Sequence, residues 1–362
     1  MDYKHLTVQT PGRICLFGEH QDYLGLPVIP MAISLNSQIK GKRIKGKGDQ
    51  IVIHKPDLNE KEIICLKDLS YTKKRDYFKS AIKVCMEEGL TFSDGLEIEI
   101  SSNIPIQAGC SSSTSIMVGW IHFLSQIADY PINWSSKKIA ELAYTAEVLE
   151  FSEPGGMMDQ YSTAIGGLMY LESKPDISIT NLKPLAGTFV LGDSQEKKNT
   201  LDILERCNQK RKLLLHRIKQ NDPFFNLHTI DLNDVSMYVS FLNESEMKLL
   251  KGTLKNRDIL ISALAELESE NPDFALFGNL LNDHHTILRD VLNVSTPKIE
   301  QMLTAALNAG ALGGKINGSG GGGCMFAFAP DDPQKVADAI EQTGGKAYIL
   351  SLSGGTKLNH KN

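Results

Sequence analysis

The sequence has no basic excess with which to hold a polyanion. Its 38 Lys and Arg are outnumbered by 43 Asp and Glu, for a formal net charge of −5, which argues against a nucleic-acid partner. The basic stretch Lys40-Gly-Lys-Arg-Ile-Lys-Gly-Lys47 stands between apolar alternations and reads as an exposed hairpin. Long apolar runs are missing too, so no segment offers the roughly 20 apolar residues of a membrane-spanning helix. The opening Met-Asp-Tyr-Lys-His-Leu-Thr has no apolar core of the kind that marks a secretory leader. A cytoplasmic protein with no membrane partner is expected. The 6 cysteines, Cys15, Cys65, Cys85, Cys110, Cys207 and Cys324, show no paired metal-ligand spacing and are expected to be reduced thiols. There is no internal repeat, and no low-complexity tract beyond the glycines at 320–323.

What the chain does have is three segments rich in small residues. Pro105-Ile-Gln-Ala-Gly-Cys-Ser-Ser-Ser-Thr-Ser115 runs into an apolar helix-like segment, Ile116–Ile127. Small residues let a backbone approach an anion, and a helix N-terminus aims unpaired N–H groups and a partial positive charge at it. No Gly-Lys-Ser/Thr follows, so this is not a Walker A loop; a Ser/Gly turn capping a buried helix would look the same. Pro11-Gly-Arg-Ile-Cys-Leu-Phe-Gly-Glu-His-Gln-Asp-Tyr23 gathers Glu19, His20 and Asp22 around a glycine turn. That is either a polar turn between strands or a set of donors and acceptors able to read neighbouring hydroxyls. Lys315-Ile-Asn-Gly-Ser-Gly-Gly-Gly-Gly-Cys324 is costly in backbone entropy, which suits a flexible turn tip or a main chain that encloses a polyanion.

Strands are expected at Leu6–Gln9, Ile14–Phe17, Ile51–Ile53 and Leu96–Ile100, with helices near Asp76–Glu88, Ile116–Ile127 and Ser136–Phe151. After a strand at Thr188–Leu191 the chain turns helix-rich through Leu307. It finishes with strand Cys324–Phe328, a helix around Val336–Gln342 and strand Ala347–Leu352. At 362 residues two domains are expected, 1–190 and 191–362.

In this order and spacing the three segments resemble the GHMP kinase family, closest to its galactokinase members. Pro154-Gly-Gly-Met-Met-Asp-Gln-Tyr161 is similar to the segment that carries that family's catalytic aspartate. Leu280–Asp290 and Val294-Ser-Thr-Pro297 are similar to its later helical region. The resemblance implies a mixed α/β (α+β) fold. Its N-terminal part would be ribosomal S5 domain 2-like with a left-handed βαβ unit, its C-terminal part ferredoxin-like, and the active site would lie in the cleft between them.

The resemblance also implies an ATP-dependent, Mg²⁺-dependent kinase acting on a sugar at its C1 hydroxyl. Asp159 would be the base and Arg13 its catalytic partner. The acceptor would be bound by Arg13, Glu19, His20, Asp22, Gly156 and Asp159, and ATP by Gly109, Ser111, Ser112, Ser113, Thr114, Gly318, Gly320 and Gly321. Ser113 and Glu147 would hold Mg²⁺. Glu147 falls at the edge of an apolar stripe formed by Ile139, Leu142, Ala143, Ala146 and Leu149, where a carboxylate is costly unless something pairs with it. The chain departs from the galactokinase pattern at Cys15, Gln21 and the segment Phe151-Ser-Glu-Pro-Gly-Gly156. It also has Cys207-Asn-Gln-Lys-Arg211 in place of an element whose tyrosine touches the sugar. The acceptor therefore stays open among galactose, galacturonate and another pyranose, with mevalonate, or a non-catalytic sensor of sugar and ATP, as the other readings.

Overall fold

The computed structural model describes residues 5–44, 46, 48–196 and 200–360. The chain begins with β1 (Leu6–Phe17), buried along nearly its whole length, and β2 (Ile29–Ile44), its antiparallel neighbour. The pairing shifts register between Pro11 and Arg13 and again between Cys15 and Phe17. Such irregularities re-aim side chains, and Arg13 lies within the first of them. The two strands expected at Leu6–Gln9 and Ile14–Phe17 are thus one bent strand. Of the basic stretch read as a hairpin, Lys40–Ile44 instead ends β2, paired with β5 (Gly95–Ser102); Lys45 and Lys47 lie outside the described residues.

Among the described residues the first sheet has eight strands. Its main path runs β12 (Lys357–His360), β1, β2, β5, β3 (Gln50–Lys55) and β4 (Glu60–Cys65), while β6 (Leu168–Glu172) joins β2 and carries β7 (Ser178–Leu182). All pairs are antiparallel except β3 with β5, which are parallel and separated along the chain by β4 and α1 (Tyr77–Glu87). Against this sheet pack α2 (Ser112–Ile127) and α4 (Met158–Ile165), with α3 (Ser136–Tyr144) laid on both helices and Trp120, Ile121 and Phe123 of α2 fully buried.

The second sheet has four antiparallel strands in the order β11 (Lys346–Leu350), β8 (Phe189–Asp193), β10 (Cys324–Phe328), β9 (Gly313–Ile316). Between β8 and β9 come α5 (Thr200–Asn221), α6 (Glu244–Glu268), α7 (Phe274–Asp290) and α8 (Pro297–Asn308), and α9 (Pro333–Gln342) links β10 to β11. Strand order 4-1-3-2 with a β(α)ββαβ path is the ferredoxin-like arrangement. Residue 190 falls inside β8, and β12 returns to the first sheet beside β1. Ile14, Leu16 and Ile29 of the first sheet share one apolar core with Phe189, Phe326 and Phe328 of the second, bridged by Phe277 of α7. Phe277 sits edge-on to Phe17 at 5.4 Å and to Phe328 at 5.3 Å.

Candidate active site

A cleft of about 510 Å³ opens where β1, the N-terminus of α2 and the glycine-rich turn after β9 converge. The first turn of α4 brings Asp159 to its floor, where Arg13 meets it. Arg13 Nε and Nη2 both donate to Asp159 Oδ1, at 2.8 and 2.6 Å, and Nη1 donates to the Gly109 carbonyl. Arg13 is 4% exposed, whereas Asp159 keeps 28% open to the cleft. Burial alone would lower the guanidinium's pKa, but the charges of Asp159 and Glu19 outweigh it and the net shift is upward, so Arg13 stays a cation.

Glu147 is buried at the rim of the N-terminus of α2, and its Oε2 accepts from Thr114 Oγ1 and Gln160 Nε2, each at 2.8 Å. Burial pushes its carboxyl up to about 7 in spite of those donors, with the Ser113 hydroxyl among them. The helix expected over Ser136–Phe151 does not run straight to that point. It is α-helical to Tyr144 and then widens into one π turn, Thr145–Leu149, closed by the Glu150 N–H to the Thr145 carbonyl. One wider turn rotates the following side chains, and Glu147 sits inside it.

Ser111, in the left-handed region at φ +58, delivers the chain into α2. The first amides of that helix have no intrahelical acceptor. Among the described residues Ser111 Oγ and Gln160 Oε1, both at the cleft wall, are buried with no hydrogen-bond partner. On the other flank Asp22 Oδ1 accepts from the Tyr23 N–H at 2.9 Å. Burial first, and the charge of Asp159 second, push the Asp22 carboxyl up to about 6. A Cβ on Gly156 would lie 1.9 Å from Asp22 Oδ2, so a side chain there would displace the Asp22 carboxylate.

The cleft thus gathers every residue singled out in the sequence except Gly320 and Gly321, and several turn out to be occupied. Gly321 donates its N–H to the Val294 carbonyl at 2.6 Å, and Gly318 donates its own to Glu19 Oε2 at 2.8 Å. Both amides are thus engaged within the protein, and Gly320 lies against Val294. Glu19 Oε2 also takes Lys315 Nζ at 2.9 Å. His20 engages Tyr23 Oη through Nδ1 at 3.0 Å and the Ser319 carbonyl through Nε2 at 3.1 Å. Since a carbonyl only accepts, Nε2 carries the proton. Arg211 in turn donates to Tyr23 Oη and lies under the Tyr23 ring.

Other parts of the site gave no sequence signal. Arg75, at φ +62, forms an ion pair with Glu153 at the cleft mouth, and Tyr77 Oη donates to the same carboxylate at 2.9 Å. Arg75 and Glu153 are 78 positions apart, a separation no local pattern reports. Beyond them the cleft becomes apolar, with Leu58, Phe78, Ile100, Ile106 and Ile116 in its wall. Among the described residues the lining carries six carboxylates, Glu19, Asp22, Asp57, Glu147, Glu153 and Asp159, against three cations, Arg13, Lys55 and Arg75.

The chain is similar to known proteins along most of its length. The family descriptions "GHMP kinases N terminal domain" and "GHMP kinases C terminal" match residues 76–167 and 260–346, and "Galactokinase galactose-binding signature" matches residues 2–39. A mevalonate kinase of Thermococcus onnurineus is 31% identical over 353 residues, covering 95% of each chain. A galactokinase of Haemophilus influenzae is 26% identical over 376 residues, covering 98% of this chain and 94% of its own. Among solved structures, Lactococcus lactis galactokinase complexed with galactose superimposes with a TM-score of 0.83 at 20% identity, covering 98% of this chain and 95% of that one. Methanococcus jannaschii mevalonate kinase does so at 0.74 and 23%, covering 97% and 99%.

Proposed function

The chain belongs to the GHMP kinase family, and within it we propose that this kinase transfers the γ-phosphate of ATP to the C1 hydroxyl of an uncharged sugar. Kinases of this family use ATP as co-substrate. The observation that carries the reading is the Arg13–Asp159 pair, set between the N-terminus of α2 on one side and Asp22 with Gly156 on the other. Phosphoryl transfer asks for alignment, charge neutralisation and a destination for the acceptor's proton. Asp159 takes that proton or orients the hydroxyl, and Arg13 keeps it ionised while offsetting charge on the moving group. The amides of Ser112, Ser113 and Thr114 and the Ser111 hydroxyl receive the phosphates. The base rests in the apolar lobe at Ile100 and Ile106.

A divalent ion fits the donor set. Glu147 and Ser113 offer hard oxygens beside the helix N-terminus, and a cleft with twice as many carboxylates as cations needs positive charge before a polyphosphate can enter. Glu147 and Ser113 would hold Mg²⁺, which when bound neutralises charge on the β- and γ-phosphates. Thr114 acts one step back, fixing Glu147 through its hydroxyl. For the chain's organisation we place residues up to about 188, with β12, around the first sheet and the remainder around the second.

An uncharged acceptor is favoured by the charges at its end of the cleft. Among the described residues each cation there is already engaged: Arg13 with Asp159, Lys315 with Glu19, Arg211 with Tyr23 and the Cys207 carbonyl. A carboxylate would instead face Asp22 and Asp159, and like charges in one site are costly. The match at residues 2–39 supports a sugar. Mevalonate is the second reading, favoured by the 31% identical relative. A coupled ADP-release screen over galactose, galacturonate, glucuronate, arabinose, N-acetylgalactosamine and mevalonate separates them. We expect Mg²⁺-dependent turnover of a neutral sugar, falling about 10²–10⁴-fold in Asp159→Asn. Turnover of mevalonate alone would remove the sugar assignment, and sugar binding without ADP release would make the protein a sensor.

A further inference from the structure

The ion pair between Glu19 and Lys315 is more deeply buried than the Arg13–Asp159 pair, with side-chain exposures of 4% and 0%. Glu19 leaves β1 at the start of the acceptor turn. Lys315 stands in β9, and its Nζ also donates to the Cys15 carbonyl at 2.8 Å beneath the Phe326 ring. The same Glu19 oxygen takes the Gly318 N–H. Asn317 completes the connection, accepting from the Cys15 N–H through Oδ1 and donating to the Gly109 carbonyl through Nδ2, both at 2.9 Å. Gly318, at φ +75, presses so closely on the phosphate loop that a Cβ there would lie 2.8 Å from Gly109 Cα.

Three loops far apart in sequence therefore meet at one buried pair of charges. A buried pair is weak evidence for stability, because desolvation offsets the Coulomb gain, but removing one partner strands the other and forces the backbone to adjust. Here the backbone that would adjust belongs to Gly318 and, through contact, to Gly109. Placement errors of about 1 Å at such loops are enough to cost binding and rate.

We infer that Lys315 and Glu19 are positioning residues, whose ion pair holds the phosphate loop at Gly109 and the acceptor turn at His20–Asp22 in one register. Nucleotide and acceptor binding are coupled through it, and Glu19 acts on the acceptor through that register rather than as a hydroxyl reader. The acceptor half of this statement rests on the kinase reading above; the nucleotide half does not rest on the choice of sugar.

The test compares Glu19→Gln, Lys315→Met and the double variant by calorimetric titration with MgATP alone and by kcat/KM for galactose. Each single variant should lose about 10-fold in MgATP affinity, with a similar loss in kcat/KM. The double variant, with no charge stranded, should regain most of the MgATP affinity. An unchanged MgATP affinity in Glu19→Gln would overturn the inference and make Glu19 a direct reader of the acceptor. A double variant no better than the worse single would overturn it as well. Where a single variant does not fold, the comparison of the double with the wild type decides: near-normal MgATP affinity supports the pair as the unit, and a 10-fold loss rejects it. Should galactose not be turned over by the wild type, the sugar assignment falls while the MgATP titrations still decide this question.

Discussion

Ionising Asp22 inside the cleft costs folding free energy, because its carboxyl is drawn out of water and set beside Asp159. Its folded value of about 6 lies above the ordinary 3.8, so the native state holds this proton more tightly than the unfolded chain does. The stability this lends is complete below about pH 4 and is lost as pH rises through 6. Asp22→Asn, which cannot ionise, should therefore melt above the wild type at pH 7.5, with the gap closing toward pH 4. The same variant should bind its sugar about 5- to 150-fold more weakly, if the lost acceptor leaves a hydroxyl unpaired. Thermal melts from pH 4 to 8 read the first effect; a pH-independent gap, or a less stable variant at pH 7.5, would refute the charge argument. At this scale the sequence was legible where a residue type has few uses. Arg13, Asp159, Asp22 and Glu147 meet at the cleft as expected from their motifs. It was not legible where function depends on which partner a side chain finds. Glu19 and His20 looked like free donors and acceptors, and their partners, Lys315 and the Ser319 carbonyl, lie 296 and 299 positions away.

Elements place these groups through their irregularities more than through their regular parts. The π turn at Thr145–Leu149 puts Glu147 under Thr114 and Gln160. Apolar periodicity located the helix but contained no sign of the wider turn, which leaves Leu149, expected in the apolar stripe, exposed and buries Glu147 and Val148 instead. Thr114→Val keeps shape and removes one of the donors to Glu147. Partners of a metal-holding side chain typically contribute 10–100-fold to metal affinity or activity, so the Mg²⁺ concentration for half-maximal ADP release should rise by about that factor. An unchanged Mg²⁺ dependence would detach Glu147 from the ion. The glycine-rich turn is the complementary case. Its composition suggested amides wrapped around phosphate, whereas Gly318 and Gly321 use theirs internally and Gly320 and Gly323 give room to Val294 and Ala108. Composition reports that a backbone is approached closely; it does not report by what.

On the scale of the whole molecule, the ferredoxin-like order of the second sheet was implied by family likeness alone, for no local signal fixes strand order. The core shared by Ile14, Leu16, Phe189, Phe277 and Phe328 ties both sheets into one packing unit. Differential scanning calorimetry should show a single unfolding transition with calorimetric and van't Hoff enthalpies close to equal; two resolved transitions would mean that the sheets unfold independently. The pairing of β12 with β1, Leu6 facing His360, bears on how the protein is made. Synthesis runs at about 5–20 residues per second, so β1 leaves the ribosome about 20–70 s before the strand that covers it. Throughout that interval the backbone groups of Leu6–Gln9 form an open strand edge, a template on which a neighbouring nascent chain can add itself. On a crowded polysome, β12 is the seal whose arrival ends the newborn chain's exposure to its siblings.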